Sequence, residues 1–420
     1  MSTDLLKFSL NCSSLFIPSH KEFKRNPKEY FIEVKLNCDY LSIMRKYLVI
    51  FILSLFFNFS SQADHQYEEY SFHAFHKYET KGSDNYYQFN SDLIQDDDVK
   101  KEIDNNKKTG LISYLLFEND QIKIDEQDIP IKIQNWGSLL PSHSVGKSLV
   151  SYVTGYAICE GYIDNINVTL DNWSTVKGTL YEGQKLIDLL NMQAGDQKII
   201  GEKKFNSDNK IKNTKFNVNV YPLQHVMNKE ILQNTKKSKA VYNYNALATN
   251  TIMNYTIYKV GDDYQKLLNK IFQEDAKIKD SVYFSKTLRR KSFADEDKGE
   301  FGRYSFYATR YDYLRIAKSI MDHWNNDTCV GKYLKTIYDQ RINKNKKGHN
   351  TQSASQYSKK YGGQFHFDII GLAKKKILAM DGFGGQQVIV DFDSGRIIVV
   401  HSLDRHYNWK KIVHKKLKQK

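Results

Sequence analysis

Apolar and polar residues alternate near both ends of the chain, whereas in its middle the apolar residues recur at helical spacing. In "GLISYLLFENDQIKIDEQ" (Gly110–Gln127) two apolar-rich runs flank Glu118-Asn119-Asp120, which predicts two strands joined by a turn. From Leu140 the rhythm changes. Leu149, Val150, Tyr152, Val153, Tyr156, Ala157 and Ile158 predict a helix that opens at Ser144 and runs through Ile158. "KLIDLLNMQAGD" (Lys185–Asp196) predicts a short amphipathic helix ended by Gly195. Two further helical stretches are "NALATNTIMNYTIYKVG", ending at Gly261, and "ATRYDYLRIAKSIMDHW", from Ala308 to Trp324. Near the C-terminus, "KKILAMDGFGGQQVIVDFDSGRIIVVHSLD" alternates around Asp393-Ser394-Gly395 and predicts a β-hairpin, with a terminal helix from Trp409.

Strands at both ends and helices between them predict an α+β fold of three layers: an antiparallel sheet flanked by helices, with a mainly helical domain inserted. The sheet is expected from about 107–145 and 357–420, and the helical region from about 160–340. Residues 64–106 are polar and aromatic-rich, lack clear periodicity and read as an N-terminal extension of the 107–420 domain. Lys198–Asn219 and Asn343–Gln356 read as polar connections.

Upstream, Arg45 and Lys46 precede an apolar run from Tyr47 to Phe57, followed by Ser61-Gln62-Ala63. A basic start, a short apolar core and a small-x-small end predict a signal peptide over 44–63 and a mature chain from about Asp64. On this reading residues 1–43 form no domain, translation starts at Met44, and the protein is periplasmic or secreted. An uncleaved segment would instead anchor it to a membrane; after cleavage no stable span is expected.

Composition narrows the picture. The 420 residues are 40% hydrophobic and 13% aromatic, with 5 prolines and 22 glycines, which fits a large globular core and excludes a fibrous chain. The net charge of +14 comes from lysines spread along the whole length, so it reads as surface solvation, and no nucleic-acid partner is expected. Of the 4 cysteines, Cys12 and Cys38 precede the signal, leaving Cys159 and Cys329 as one disulfide or two thiols. No CxxC, HExxH or His/Cys cluster occurs, so no metal site and no cofactor are expected.

Candidate chemistry lies in Ser-x-x-Lys, which occurs at Ser144–Lys147, Ser174–Lys177 and Ser207–Lys210. Only Ser144 opens a long apolar helix. There the hydroxyl and amine share one face, and burial of the amine favours its neutral, proton-accepting form. Ser207-Asp208-Asn209 and Lys108-Thr109-Gly110 spell two known catalytic motifs in the wrong order and are read as coincidences.

The segment "SHSVGKSLVS" resembles the nucleophile segment of the serine β-lactamase and penicillin-binding-protein superfamily. The resemblance is to its class C-like branch, with its esterases, D-aminopeptidases and 6-aminohexanoate-dimer hydrolases. "LIDLLNMQAGD", "YATRYDYLRIAKSIM" (with Asp312 and Arg315) and "MDGFGGQQVIV" match further landmarks of that branch in the same order, over roughly 107–405. The resemblance implies a β-lactamase/transpeptidase-like fold and a serine hydrolase cleaving a small-molecule amide or ester. Ser144 would be the nucleophile and Lys147 the base. Tyr244, with Tyr242 as the alternative, would be the catalytic tyrosine. Gly382 would let the strand approach substrate, and the Phe383 N–H would join that of Ser144 in an oxyanion hole. Where relatives carry Lys or His, then Thr, then Gly, this chain has Met380-Asp381-Gly382, which removes a group that binds a substrate carboxylate. A linear amide or small ester is therefore expected as substrate. The alternatives are β-lactamase or D-Ala-D-Ala peptidase-type activity, or a catalytically silent binding module on the same fold.

Overall fold

The computed structural model describes residues 76–135, 137–200, 223–228, 232–287, 301–344 and 353–419, with two short strands upstream. The chain divides into two units, Met1–Tyr67 and Glu68–Lys420. In the first, β1 (Phe16–Ile17) pairs antiparallel with β2 (Ile32–Glu33). The expected signal peptide at 44–63 lies outside the described residues.

In the second unit the strands begin with β3 (His76–Thr80), β4 (Asn90–Ser91), β5 (Leu111–Glu118), β6 (Gln121–Gln127) and β7 (Leu140–Pro141). Then come β8 (Val282–Thr287), β9 (Phe301–Ala308), β10 (Ile342–Asn343), β11 (Ser358–Gly362) and β12 (Phe365–Ile369). The last three are β13 (Ile377–Asp381), β14 (Gln387–Asp391) and β15 (Arg396–Ser402). The longer helices are α1 (Asp97–Asp104), α2 (Val145–Cys159), α3 (Ala246–Val260), α4 (Arg310–Asn325) and α5 (Cys329–Asp339).

Nine strands form the main sheet, in the order β10-β11-β12-β13-β14-β15-β5-β6-β4. Its pairs are antiparallel except for the two-residue β4–β6 contact. The N-terminal and C-terminal strands of this sheet meet where β15 pairs with β5, Val399 opposite Leu115. The β5–β6 turn is the expected one: Asn119 (φ 53°) and Asp120 (φ 56°) take the left-handed conformations that a tight two-residue hairpin needs. Successive side chains then serve opposite layers. Tyr114 joins Val99, Ile103, Ile398, Trp409 and Val413 in a core between the sheet, α1 and the C-terminal segment. Its neighbour Ser113 faces the other way and accepts a 2.7 Å hydrogen bond from Nε of Arg310 on α4. An antiparallel sheet between helices, with further helices inserted, is the α+β architecture expected.

The inserted region is less purely helical than its periodicity suggests. A second, four-stranded sheet, β3-β8-β9-β7, runs through it. Two of its strands, β8 and β9, lie on either side of residues 288–300, and two come from segments with too few residues to show alternation. One of these, β3, falls in the expected N-terminal extension, as do β4 and α1, so the described residues of that extension belong to the fold. The strand β7 joins this smaller sheet, so the N-terminal share of the main sheet ends at Gln127. The last landmark helix starts at Arg310, where Thr309 caps it by accepting from Asp312 N, because Ala308 is still in β9. Beyond Trp409 a wide turn, Lys410–His414, precedes only a short helix, Lys415–Lys418.

Cys159, the last residue of α2, forms a disulfide with Cys329, the first of α5. Along α2 nearly every side chain is buried, and its hydroxyls are paired. Ser148 donates to Gln364 O at 2.6 Å, Ser151 bonds the Tyr333 hydroxyl at 2.8 Å, and Thr154 bonds Thr256 at 3.0 Å. That satisfied interior makes α2 a rigid platform for whatever stands at its start.

Candidate active site

Ser144 stands at the N-cap of α2, half-buried, and its side chain does not cap the helix. Among the described residues no acceptor takes its backbone N–H. The residue before it, His143, has a left-handed backbone (φ 46°), so the chain turns sharply into the helix. The first turn is pressed against β9: a Cβ at Gly146 would lie 1.9 Å from the Tyr304 carbonyl oxygen, so only glycine fits. This contact buries the next residue, Lys147, which keeps 2% of its surface exposed. Its amine donates to the Asn245 carbonyl at 3.3 Å. It also lies 5.0 Å from the centroid of the Tyr244 ring and 4.0 Å from that of Tyr304.

Tyr244 is held in place from behind. Asn245 caps α3, its Oδ1 accepting from Ala248 N at 2.8 Å. Its Nδ2 donates to Asp196 at 3.0 Å. Asn243 Nδ2 donates to the same carboxylate at 2.7 Å, and the Tyr181 hydroxyl donates to it at 2.9 Å. Burial pushes the Asp196 carboxyl up, and these three donors pull it back. Asp196 closes the "LIDLLNMQAGD" landmark, whose helix is shorter than expected at Leu186–Leu190. Here that landmark anchors the tyrosine segment. Tyr242 and Tyr244 both pack on Tyr361, with ring centroids 5.3 and 6.0 Å away.

The "DGFGGQ" segment reaches the same place from the sheet. Gly382 follows β13 in an extended conformation, and a Cβ there would lie 2.5 Å from the Ser142 carbonyl oxygen. The strand end therefore lies against the chain two residues before Ser144. The Phe383 ring is half-exposed and meets the His143 ring edge-on at 5.8 Å. No described group accepts the Phe383 N–H. Gln386 fastens this loop to β15, donating to Ser402 O at 2.5 Å and accepting from Ser402 N at 3.2 Å.

The other two Ser-x-x-Lys pairs are not built this way. Ser174 and Lys177 are exposed around a single 3₁₀ turn, and Ser207–Lys210 lies outside the described residues. Most of the two expected polar connections, Lys198–Asn219 and Asn343–Gln356, also lies outside them.

Several neighbours carried no sequence signal. Tyr304 sits on β9, in a stretch without a landmark, and only the fold brings it over Lys147. Arg405 lies beyond β15. It donates from Nη2 to Gly382 O at 2.6 Å and to Asp381 Oδ2 at 3.3 Å, and from Nη1 to Ser353 Oγ at 2.9 Å. Burial, with Arg405 nearby, pulls the His143 imidazole down to about 4. Among the described residues no three His, Cys, Asp or Glu side chains form a metal-binding group, and no helix is long and apolar enough to cross a membrane.

No protein-family model and no curated protein sequence matches the chain. Solved structures do. A protein assigned as a 6-aminohexanoate-dimer hydrolase from Bacillus anthracis aligns with a TM-score of 0.57 at 15% identity, over 82% of this chain and 89% of that one. A protein assigned as a β-lactamase from Bacteroides dorei aligns at 0.51 and 14% identity, over 76% and 98%. A penicillin-binding protein from Bacillus halodurans aligns at 0.50 and 13% identity, over 77% and 99%. The chain has the fold of the serine β-lactamase and penicillin-binding-protein superfamily, as the four motifs implied.

Proposed function

We propose that this protein is an exported serine hydrolase that cleaves a small-molecule amide or ester through an acyl-enzyme on Ser144. The observation that carries the reading is the burial of Lys147 between Tyr244 and Tyr304, one helical turn from a serine whose hydroxyl is not used as a cap. Burial disfavours the ammonium and favours a neutral amine that can accept a proton, while the ring faces and the Asn245 carbonyl fix its position.

In this mechanism neutral Lys147 takes the Ser144 proton as Oγ bonds to the substrate carbonyl carbon. The N–H groups of Ser144 and Phe383, which no described group accepts, receive the developing oxyanion. Collapse breaks the bond to the leaving nitrogen or oxygen, and the proton passes from Lys147 through the Tyr244 hydroxyl to that atom. Water then adds to the acyl ester, and its hydrolysis returns the proton to Ser144. The Cys159–Cys329 disulfide supports export, since such bonds persist in oxidising compartments.

Intact mass after exposure to a fluorophosphonate tests the reading, with Ser144→Ala alongside. One adduct on the parent and none on the variant is expected. No adduct on a folded parent would sink the enzyme reading.

A further inference from the structure

We infer that the substrate group seated beside Gly382 and Phe383 is uncharged and apolar, so that neutral esters or amides are preferred over those bearing a second carboxylate. This rests on the serine hydrolase reading and specifies its substrate.

Four residues build this rim: His143, Asp381, Phe383 and Arg405. Phe383 leaves 53% of its surface exposed, and the His143 ring supports it edge-on at 5.8 Å. A phenyl ring left open beside a nucleophile is apolar surface that a hydrocarbon group can cover.

The charges at the rim are matched among themselves. Met380, near the end of β13, is apolar and fully buried. The cation that does reach the strand end is Arg405. Its guanidinium is held by three acceptors, Asp381 Oδ2, Gly382 O and Ser353 Oγ, and its charge is balanced by the carboxylate. Asp381 is 4% exposed, and its Oδ1 receives no hydrogen bond from any described group. With Asp381 and Arg405 paired, the strand end offers an incoming anion no unmatched positive charge. His143 supplies no positive charge at neutral pH, because burial and Arg405 hold its imidazole at about 4. A substrate carboxylate would lose hydration here and meet a guanidinium whose charge Asp381 already balances. A hydrocarbon group loses nothing and covers Phe383.

The test compares p-nitrophenyl butyrate with p-nitrophenyl hemisuccinate on the purified full chain at neutral pH, subtracting the Ser144→Ala rate. The two esters share leaving group and chain length and differ by a carboxylate in place of a methyl. Expected is a kcat/KM at least tenfold higher for the butyrate, with Phe383→Ala cutting that ratio several-fold. If Phe383→Ala does not fold, the parent ratio alone decides. Equal or better turnover of the hemisuccinate, on a protein that forms the fluorophosphonate adduct, overturns the inference and leaves the hydrolase reading standing. An adduct with neither ester turned over also overturns it. Absence of adduct and of turnover overturns both.

Discussion

The amine of Lys147 lies 4.0 Å from the centroid of the Tyr304 ring, closer than to that of Tyr244, at 5.0 Å. The ring face packs against the amine and restricts where it can sit. Tyr304 is thus the nearer of these two rings and helps to position Lys147. Tyr304→Phe keeps the face and should label with fluorophosphonate within about threefold of the parent rate. Tyr304→Leu removes it, and a base free to shift from its place should label roughly tenfold more slowly or worse. Melting temperatures measured in parallel separate this from misfolding: equal rates for both variants, with unchanged melting, would remove Tyr304 from the site.

Two glycines hold the three motifs together by close approach. Gly146→Ala would place a Cβ 1.9 Å from Tyr304 O, and Gly382→Ala 2.5 Å from Ser142 O, both unyielding backbone atoms. Each should cost about 1–3 kcal/mol as overpacking, read as a melting temperature lowered by several degrees. For Gly382→Ala the labelling rate should also fall, since the strand would retreat from the segment that bears Ser144.

Much of this arrangement was legible in the sequence, for identifiable reasons. The long amphipathic or wholly apolar segments announced α2, α3 and α4, and the Asn119-Asp120 turn announced the first hairpin. Ser144 and Lys147 stood out because they open a long apolar helix, whereas Tyr244 and Tyr242 were named only through the family resemblance. What was hidden depends on tertiary pairing. The sheet β3-β8-β9-β7 joins strands more than 200 residues apart, and its edge strand β7 has two residues. Tyr304, on β9, and Arg405, beyond β15, gain their roles only from what the fold brings against them. The charge beside Met380-Asp381 was read from local sequence as missing a cation, whereas Arg405 brings one from 23 residues beyond Gly382, already balanced by Asp381.

The disulfide ties the end of α2 to the start of α5, closing a loop of 170 residues. A cross-link of that span restricts the unfolded chain and typically contributes about 2–5 kcal/mol. Cys159→Ser with Cys329→Ser, or treatment with a reductant, should lower the melting temperature. The fluorophosphonate labelling rate at low temperature should stay within about twofold, because Ser144 stands at the opposite end of a helix that packing alone keeps rigid. A large loss of labelling without loss of stability would show instead that the bond sets the geometry of the site.

Acid should destabilise the fold through buried histidines, and His401 gives the clearest sign. It lies on β15 with 2% exposure, its ring 4.8 Å from that of Tyr313, and no described group bonds its Nδ1. Burial, with Arg310 and His143 nearby, pulls its imidazole down to about 3 in the folded state, against an ordinary 6.5. The folded protein therefore excludes a proton that the unfolded chain accepts. The stability contributed by the neutral ring is complete above about pH 6.5 and is lost progressively as pH falls from there toward 3, at up to about 1.4 kcal/mol per pH unit. His401→Gln, which cannot take up a proton, should flatten the fall in melting temperature between pH 6.5 and 4 while costing some stability at pH 7. A variant whose acid profile runs parallel to the parent's would assign the acid sensitivity to other groups, His143 and His366 first, since burial depresses both.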